Sequence, residues 1–377
     1  MTRVGRYVAR EVLLGIGLVL LAFLSLFAFF DFVNELDDIG RGGYRVQHAM
    51  LYVLLTVPNR IYELMPIAAL IGAIYALAQF ASTSEFTAMR AAGMGRMLAL
   101  SEIVKVGALI AVATALVGEG LAPPADRLAQ RVRLGALDAT ITGQFRSGLW
   151  IKDTLRDATG QPQRLRFVNV GMLLPDTTLQ NLRIFEFDPQ FRLVSVLRAD
   201  RGAFAPPNLW QLSGVEETRF ISGRGVEGLP TLAAQVERHP QRLWESDLSP
   251  EIVAVLTLQP DRMSVFTLAQ YVRHLRENRQ SAERYEIALW RKIVYPLAAV
   301  VMVVLALPFG FLQARAGGIG YKVFAGIMLG VGFHFLNGLF SHLGLLNTWP
   351  PWIAASAPSA VALAMALGML AWVGRTR

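Results

Sequence analysis

The chain contains no cysteine, which excludes disulfides, thiolate nucleophiles and thiolate metal sites. Charge is also scarce: 17% of the 377 residues are Asp, Glu, Lys or Arg, while 54% are apolar. A soluble domain carries about 25% charged residues. The five histidines, His48, His239, His274, His334 and His342, form no HExxH spacing. No GxSxG elbow is present, and Gly317-Gly318-Ile319-Gly320 lacks the Gly-Lys-Ser/Thr of a phosphate-binding loop. With no convergent nucleophile, base or metal set, a transport or scaffold role ranks above an enzyme.

What is present is long apolar runs. Val12–Phe30, Leu64–Phe80, Ile293–Leu312, Val323–Leu346 and Trp352–Val373 contain no Asp, Glu, Lys or Arg. A sixth, Leu98–Leu121, carries Glu102, Lys105 and Glu119 toward its ends, where a long side chain can snorkel. Each is near the roughly 20 residues that a membrane-crossing helix needs. The first run leads into the acidic stretch Asp31–Asp38 without a small-residue cleavage pattern, so it reads as an anchor and not a signal peptide.

Short-loop basic residues set the orientation. Arg3, Arg6, Arg10, Arg90, Arg96, Arg315, Lys322, Arg375 and Arg377 all fall on one side, which makes both termini cytoplasmic. The long segment after the third run then lies outside. The net charge of +8 suits anionic lipid as a partner rather than nucleic acid.

That outer segment is strand-like. Leu182–Phe187 and Phe191–Leu197 flank the turn Asp188-Pro189-Gln190. Leu149–Lys152, Arg164–Val170, Ala203–Phe204 with Trp210–Leu212, and Thr218–Ile221 are further strands. The spacing predicts an all-β sandwich or open jelly roll. Pro123–Pro124 is expected to end the third helix, with Asp126–Asp138 as a short stalk. Val265, Leu268, Val272 and Leu275 predict an amphipathic helix over Ser264–Arg279, packing the outer domain on the membrane surface or taking part in substrate passage. The predicted organisation is residues 1–124 with three spans, 125–260 as the β domain, 261–290 as helix and linker, and 291–377 with three spans.

Three constellations stand out. Ser84–Gly93 reads as a short cytoplasmic helix, N-capped by Ser82 or Ser84 and C-capped by Gly93. Its Phe86, Met89 and Arg90 share a face, so it either lies on headgroups or docks into a partner's groove. Pro58 and Pro66 bracket Arg60 and Glu63, which either pair with each other or leave Arg60 free for an anionic substrate. Gly326, Gly330, His334, Asn337 and Ser341 mark the fifth span as a helix interface, and spans five and six offer no acid for a proton relay.

Several of these stretches also carry a resemblance. They are Arg6-Tyr7, Phe32-Val33, Gly40–Tyr44, Val57-Pro58, Pro66–Ala73, Ser84–Gly93, Gly118-Glu119 with Ala122-Pro123, Gly148-Leu149-Trp150, Trp210-Gln211-Leu212 and Trp349-Pro350-Pro351. In order and spacing the chain resembles the lipopolysaccharide-export permeases of the YjgP/YjgQ type over nearly its whole length. The resemblance implies an α-helical membrane protein of six transmembrane helices, with a periplasmic all-β jelly-roll domain between helices 3 and 4. It implies a Gram-negative inner-membrane location and a transport subunit that binds no cofactor itself. ATP and magnesium are used by two copies of a cytoplasmic LptB-type ATPase. Further implied partners are an LptF-type permease, a single-span LptC-type protein, a periplasmic bridge protein and lipopolysaccharide.

Site residues follow from the same resemblance. Glu85, Phe86, Met89, Arg90 and Gly93 fall on the family's coupling helix. Gly326, Gly330, His334 and Asn337 fall on the span that forms a lateral gate with the partner. Family basic residues near the outer end of span one fall here on Asp31, Asp37 and Asp38, and the lysine after the proline of span two falls on Asn59. Arg41, Arg45, Arg60, Arg131 and Arg133 are the replacement cations expected to meet lipid phosphates. Another lipid or lipoprotein permease, or a membrane scaffold, is the alternative function.

Overall fold

The computed structural model describes residues 3–83, 85–91, 93, 95–137, 148–156, 162–174, 178–205, 208–224, 230–246, 248, 260–277, 280–311, 318–346 and 349–375. Its long helices are α1 (Arg3–Glu35), α2 (Val46–Ser82), α4 (Arg96–Leu116), α7 (Glu283–Phe311), α8 (Ile319–Leu346) and α9 (Pro351–Arg375), with a short α3 (Glu85–Ala91) after α2. The six long helices are apolar and long enough to cross a membrane. At 1.5 Å per residue, the 37 residues of α2 reach well past a hydrocarbon core of about 30 Å.

The third span does not stop at its prolines. A π-helical turn, Val117–Leu121, joins α4 to α5 (Ala122–Ala136), and Pro123 and Pro124 sit in the first turn of α5. Proline is tolerated there because those amides have no intrahelical partner. The π turn instead re-aims the chain, so α5 forms the polar stalk expected from Asp126 onward.

The membrane bundle is centred on α2. Alanines and leucines from Ala68 to Leu77 are buried against Val12 and Ile16 of α1 and Met302–Leu307 of α7. Gly72 permits the α1 contact: a Cβ there would lie 2.4 Å from the Ile16 Cα. The bundle's first and fifth spans are the least covered by the rest of the chain.

Between the third and fourth spans lies a six-stranded antiparallel sheet in sequential order. Its strands are β1 (Leu149–Arg156), β2 (Pro162–Leu173), β3 (Leu179–Phe187), β4 (Leu193–Ala205), β5 (Leu209–Arg224) and β6 (Pro230–Glu245). The expected all-β domain is thus present, with its described strands paired as a meander. Two sequence segments, Trp210–Leu212 and Thr218–Ile221, belong to the single strand β5. Gly214, at φ +65°, sits within it beside Asp200, whose Oδ2 would be 2.1 Å from a Cβ. β6 was not expected; it is largely exposed and carries Pro240, which an edge strand accommodates because one side of its ladder is unpaired.

One face of the sheet is apolar in register. Leu149, Val170, Leu182 and Ala199 form one cross-strand row, and Ile151, Val168, Ile184 and Leu197 the next. Helix α6 (Val265–Glu277) turns Leu268, Tyr271, Val272 and Leu275 into the same core. The amphipathic stripe predicted there is real, and its apolar face fills the core of the β domain, as expected of a helix that packs the outer domain. A third row on this face is polar: Asp153, Arg166, Glu186, Ser195 and Arg219 stand opposite one another across β1 to β5. Its charges are compensated, with Arg166 Nε 2.8 Å from Glu186 and Ser246 Oγ donating to Asp153 at 2.9 Å.

Candidate functional site

The charged residues at the β-domain end of α1, α2 and α5 converge. Arg60 donates to both carboxylate oxygens of Asp31, at 3.0 and 2.7 Å, and to Glu63 at 3.0 Å. Arg133 meets Glu35 at 3.1 Å and Asp38 at 2.6 Å, and the Tyr44 hydroxyl donates to Glu35 at 2.7 Å. Exposed Arg41 pairs with Asp38 at 2.8 Å. The acidic stretch after span one therefore neutralises three of the five arginines expected to be free. Arg45 and Arg131 are exposed and make no ion pair among the described residues. Both alternatives for Arg60 had left out Asp31, which is distant in sequence.

Beside these pairs is a cavity of about 160 Å³ lined by residues that include Asp31, Glu35, Asn59, Arg60, Asp126 and Arg262. Asp126 is 2% exposed and neither carboxylate oxygen has a hydrogen-bond partner among the described residues. Arg262 belongs to the turn Pro260–Arg262 that leads into α6. That turn is tied to the bundle from three sides. The Val265 amide donates to both oxygens of Glu119 at 3.0 Å, buried Lys292 donates to the Met263 carbonyl, and Arg291 pairs with Asp261. Glu119 thereby caps the start of α6 from the π turn of another helix. Glu119, Asp126, Arg262 and Lys292 form no local motif. The sequence signal that marks them is a charge at the end of an apolar run.

At the opposite end, α3 spans Glu85–Ala91 and is followed by Gly93 at φ +96°, the left-handed conformation of a helix C-cap. Ser82 closes α2 instead of capping α3, and Ser84 lies outside the described residues. Glu85 accepts hydrogen bonds from Tyr7 and from Thr83, both at 3.0 Å. Met89 is half-buried against the membrane core, so it fixes α3 to its own bundle. The side chains of Phe86 and Arg90 lie outside the described residues.

The glycines of the fifth span face inward. A Cβ on Gly326 would lie 2.7 Å from Ile74, and one on Gly330 would lie 3.0 Å from Ile67, both on α2. These two residues therefore make a close interface with α2 of the same chain. His334 is exposed, and the half-buried Asn337 has an Nδ2 without a partner among the described residues. The uncovered face of α8 carries Phe324, Met328, Val331 and Phe335.

Six apolar helices with a β domain inserted between the third and fourth define a polytopic membrane protein carrying one large extramembrane domain. The family model described as lipopolysaccharide export system permease LptF/LptG matches residues 6–372, and the chain belongs to that family. It is an LptG-type member. It is 31% identical to the lipopolysaccharide export system permease protein LptG of Escherichia coli strain K12, over 97% of both chains. The LptG protein of Haemophilus influenzae is 28% identical over 96% of both chains.

Proposed function

We propose that this chain is the LptG-type permease subunit of an exporter that extracts lipopolysaccharide from the inner membrane and passes it by the β domain toward a periplasmic bridge. It works beside an LptF-type permease, with an LptC-type single-span protein. Two copies of a cytoplasmic ATPase supply the work; ATP and magnesium are theirs, and this chain binds neither. The distribution of short-loop Lys and Arg supports cytoplasmic termini and a periplasmic β domain.

One observation carries this reading. The first and fifth spans leave apolar faces uncovered, and charged residues cluster at the β-domain end of α1. Leu14, Leu18 and Leu21 on α1 and Phe324, Val331 and Phe335 on α8 are exposed. An anionic amphiphile needs such a wall for its chains and cations at one end for its phosphates. With Arg41, Arg60 and Arg133 held by carboxylates, Arg45 and Arg131 are the phosphate contacts. His334 and Asn337 take the gate role on α8, which Gly326 and Gly330 hold against α2. Helix α3 is the coupling helix: Glu85, Phe86, Met89, Arg90 and Gly93 shape it, and the Tyr7–Glu85 hydrogen bond passes its movement to α1.

The test is purification of this chain from native membranes in mild detergent, scoring co-purified proteins and lipid together. A second permease, an ATPase and lipopolysaccharide in one complex are expected. Recovery of the chain alone, without glycolipid, would replace the exporter with a scaffold.

A further inference from the structure

Asp126 and Arg262 line the same small cavity from different parts of the chain, one on α5 and the other on the turn before α6. Among the described residues, buried Asp126 has no hydrogen-bond partner on either oxygen and Arg262 makes no ion pair. Every other charged side chain on this wall is engaged: Arg60 with Asp31 and Glu63, and Glu35 with Arg133 and Tyr44. A buried carboxylate without a partner is costly, and a cavity of about 160 Å³ has room for a few waters to soften that cost. A metal ion is a poor occupant, because two guanidinium-bearing residues already line the cavity.

We propose that Asp126 and Arg262 are positioning residues whose ion pair forms and breaks during transport. In one arrangement the two side chains line the cavity without forming an ion pair. In the other arrangement they pair, the cavity shrinks, and the turn Pro260–Arg262, which already touches α5, closes further on it. Because Glu119 and Lys292 bind Val265 and Met263 just beyond that turn, its movement is passed to α6. Helix α6 fills the core of the β domain, so the pair couples the membrane helices to the domain. The proposal rests on the transport reading above.

The experiment uses the assembled complex in lipid nanodiscs. The chain has no cysteine of its own, so D126C with R262C adds the only thiols in it. Disulfide yield between these positions is expected to differ about tenfold between nucleotide-free and vanadate-trapped complexes. The disulfide should block nucleotide-driven lipid release, and reductant should restore it. D126R and R262D should each lower release about tenfold, and the double exchange D126R/R262D should recover most of it. An unchanged disulfide yield in every nucleotide state, or no recovery in the double exchange, overturns the pair. Absence of nucleotide-driven release from the unaltered complex would overturn the transport reading instead.

Discussion

Asp31 and Arg60 are joined by two hydrogen bonds, 2.7 and 3.0 Å long, between the β-domain ends of α1 and α2. The guanidinium also reaches Glu63 and lies over the Phe27 ring, 5.3 Å from its centroid. An arginine held in this way serves the bundle before it serves a ligand. Arg60→Met should cost about 1.5–3 kcal/mol, the worth of hydrogen bonds to a charged group, because it strands Asp31 at a half-buried position. Asp31→Asn combined with Arg60→Gln should recover part of that loss. Thermal unfolding in detergent reads both. An unaltered midpoint in Arg60→Met would return this arginine to the pool of free cations.

Arg45 and Arg131 should behave in the opposite way. Both are exposed and lack ion pairs among the described residues, so replacing them with Gln should shift stability by less than about 0.5 kcal/mol. Lipopolysaccharide retained by the purified complex should fall in each variant and fall further in the double variant. Retention equal to the unaltered protein would assign the phosphate contacts to another subunit.

These arginines are separated by packing that no local sequence pattern encodes. The six spans were legible because a charge-free apolar run of about 20 residues matches the thickness of a bilayer and little else. The strands were legible where alternation met a turn signal, as at Leu182–Phe187 before Asp188-Pro189-Gln190. Strand β6 was hidden because an edge strand need not alternate cleanly, and Pro240 argues against a central one. The ion pairs were hidden for a different reason: Asp31 and Arg60 are separated by a helix-loop-helix, and only packing brings them together. The same holds for Glu119, whose partner is the Val265 amide across the whole β domain. The glycines of the fifth span signalled close packing correctly, but spacing cannot say whether the neighbour belongs to the same chain.

Gly72 and Gly338 offer a matched comparison of helical glycines. A methyl group on Gly72 would press on Ile16 backbone at 2.4 Å, whereas Gly338 has nothing within 4 Å. Gly72→Ala should therefore destabilise the α1–α2 contact by about 1–3 kcal/mol through overpacking. Gly338→Ala should be neutral or stabilising by up to about 1 kcal/mol through helix propensity. The comparison is read as paired unfolding midpoints in one detergent. Equal effects at the two sites would mean that α1 and α2 do not cross at Gly15 and Gly72.

The β domain should carry an acid-sensitive element at Glu217. Burial would raise this carboxyl, but hydrogen bonds and charge from Arg219, with Arg242 adding to both, outweigh it and hold the group below the usual carboxylate range. A depressed folded value means the stabilisation is fully present above the unfolded pKa, about 4.3, and is lost as pH falls through the folded value. Trp210 and Trp244 lie in the same domain core and report its integrity by fluorescence. Denaturant titrations of the full chain should show stability declining on acidification below about pH 4.3, with a smaller decline in Glu217→Gln. At neutral pH the variant should itself be less stable, because Arg219 and Arg242 lose their shared counter-charge. Identical acid sensitivity in the two proteins would show that the arginines, and not the carboxylate between them, set the strength of this layer of the sheet.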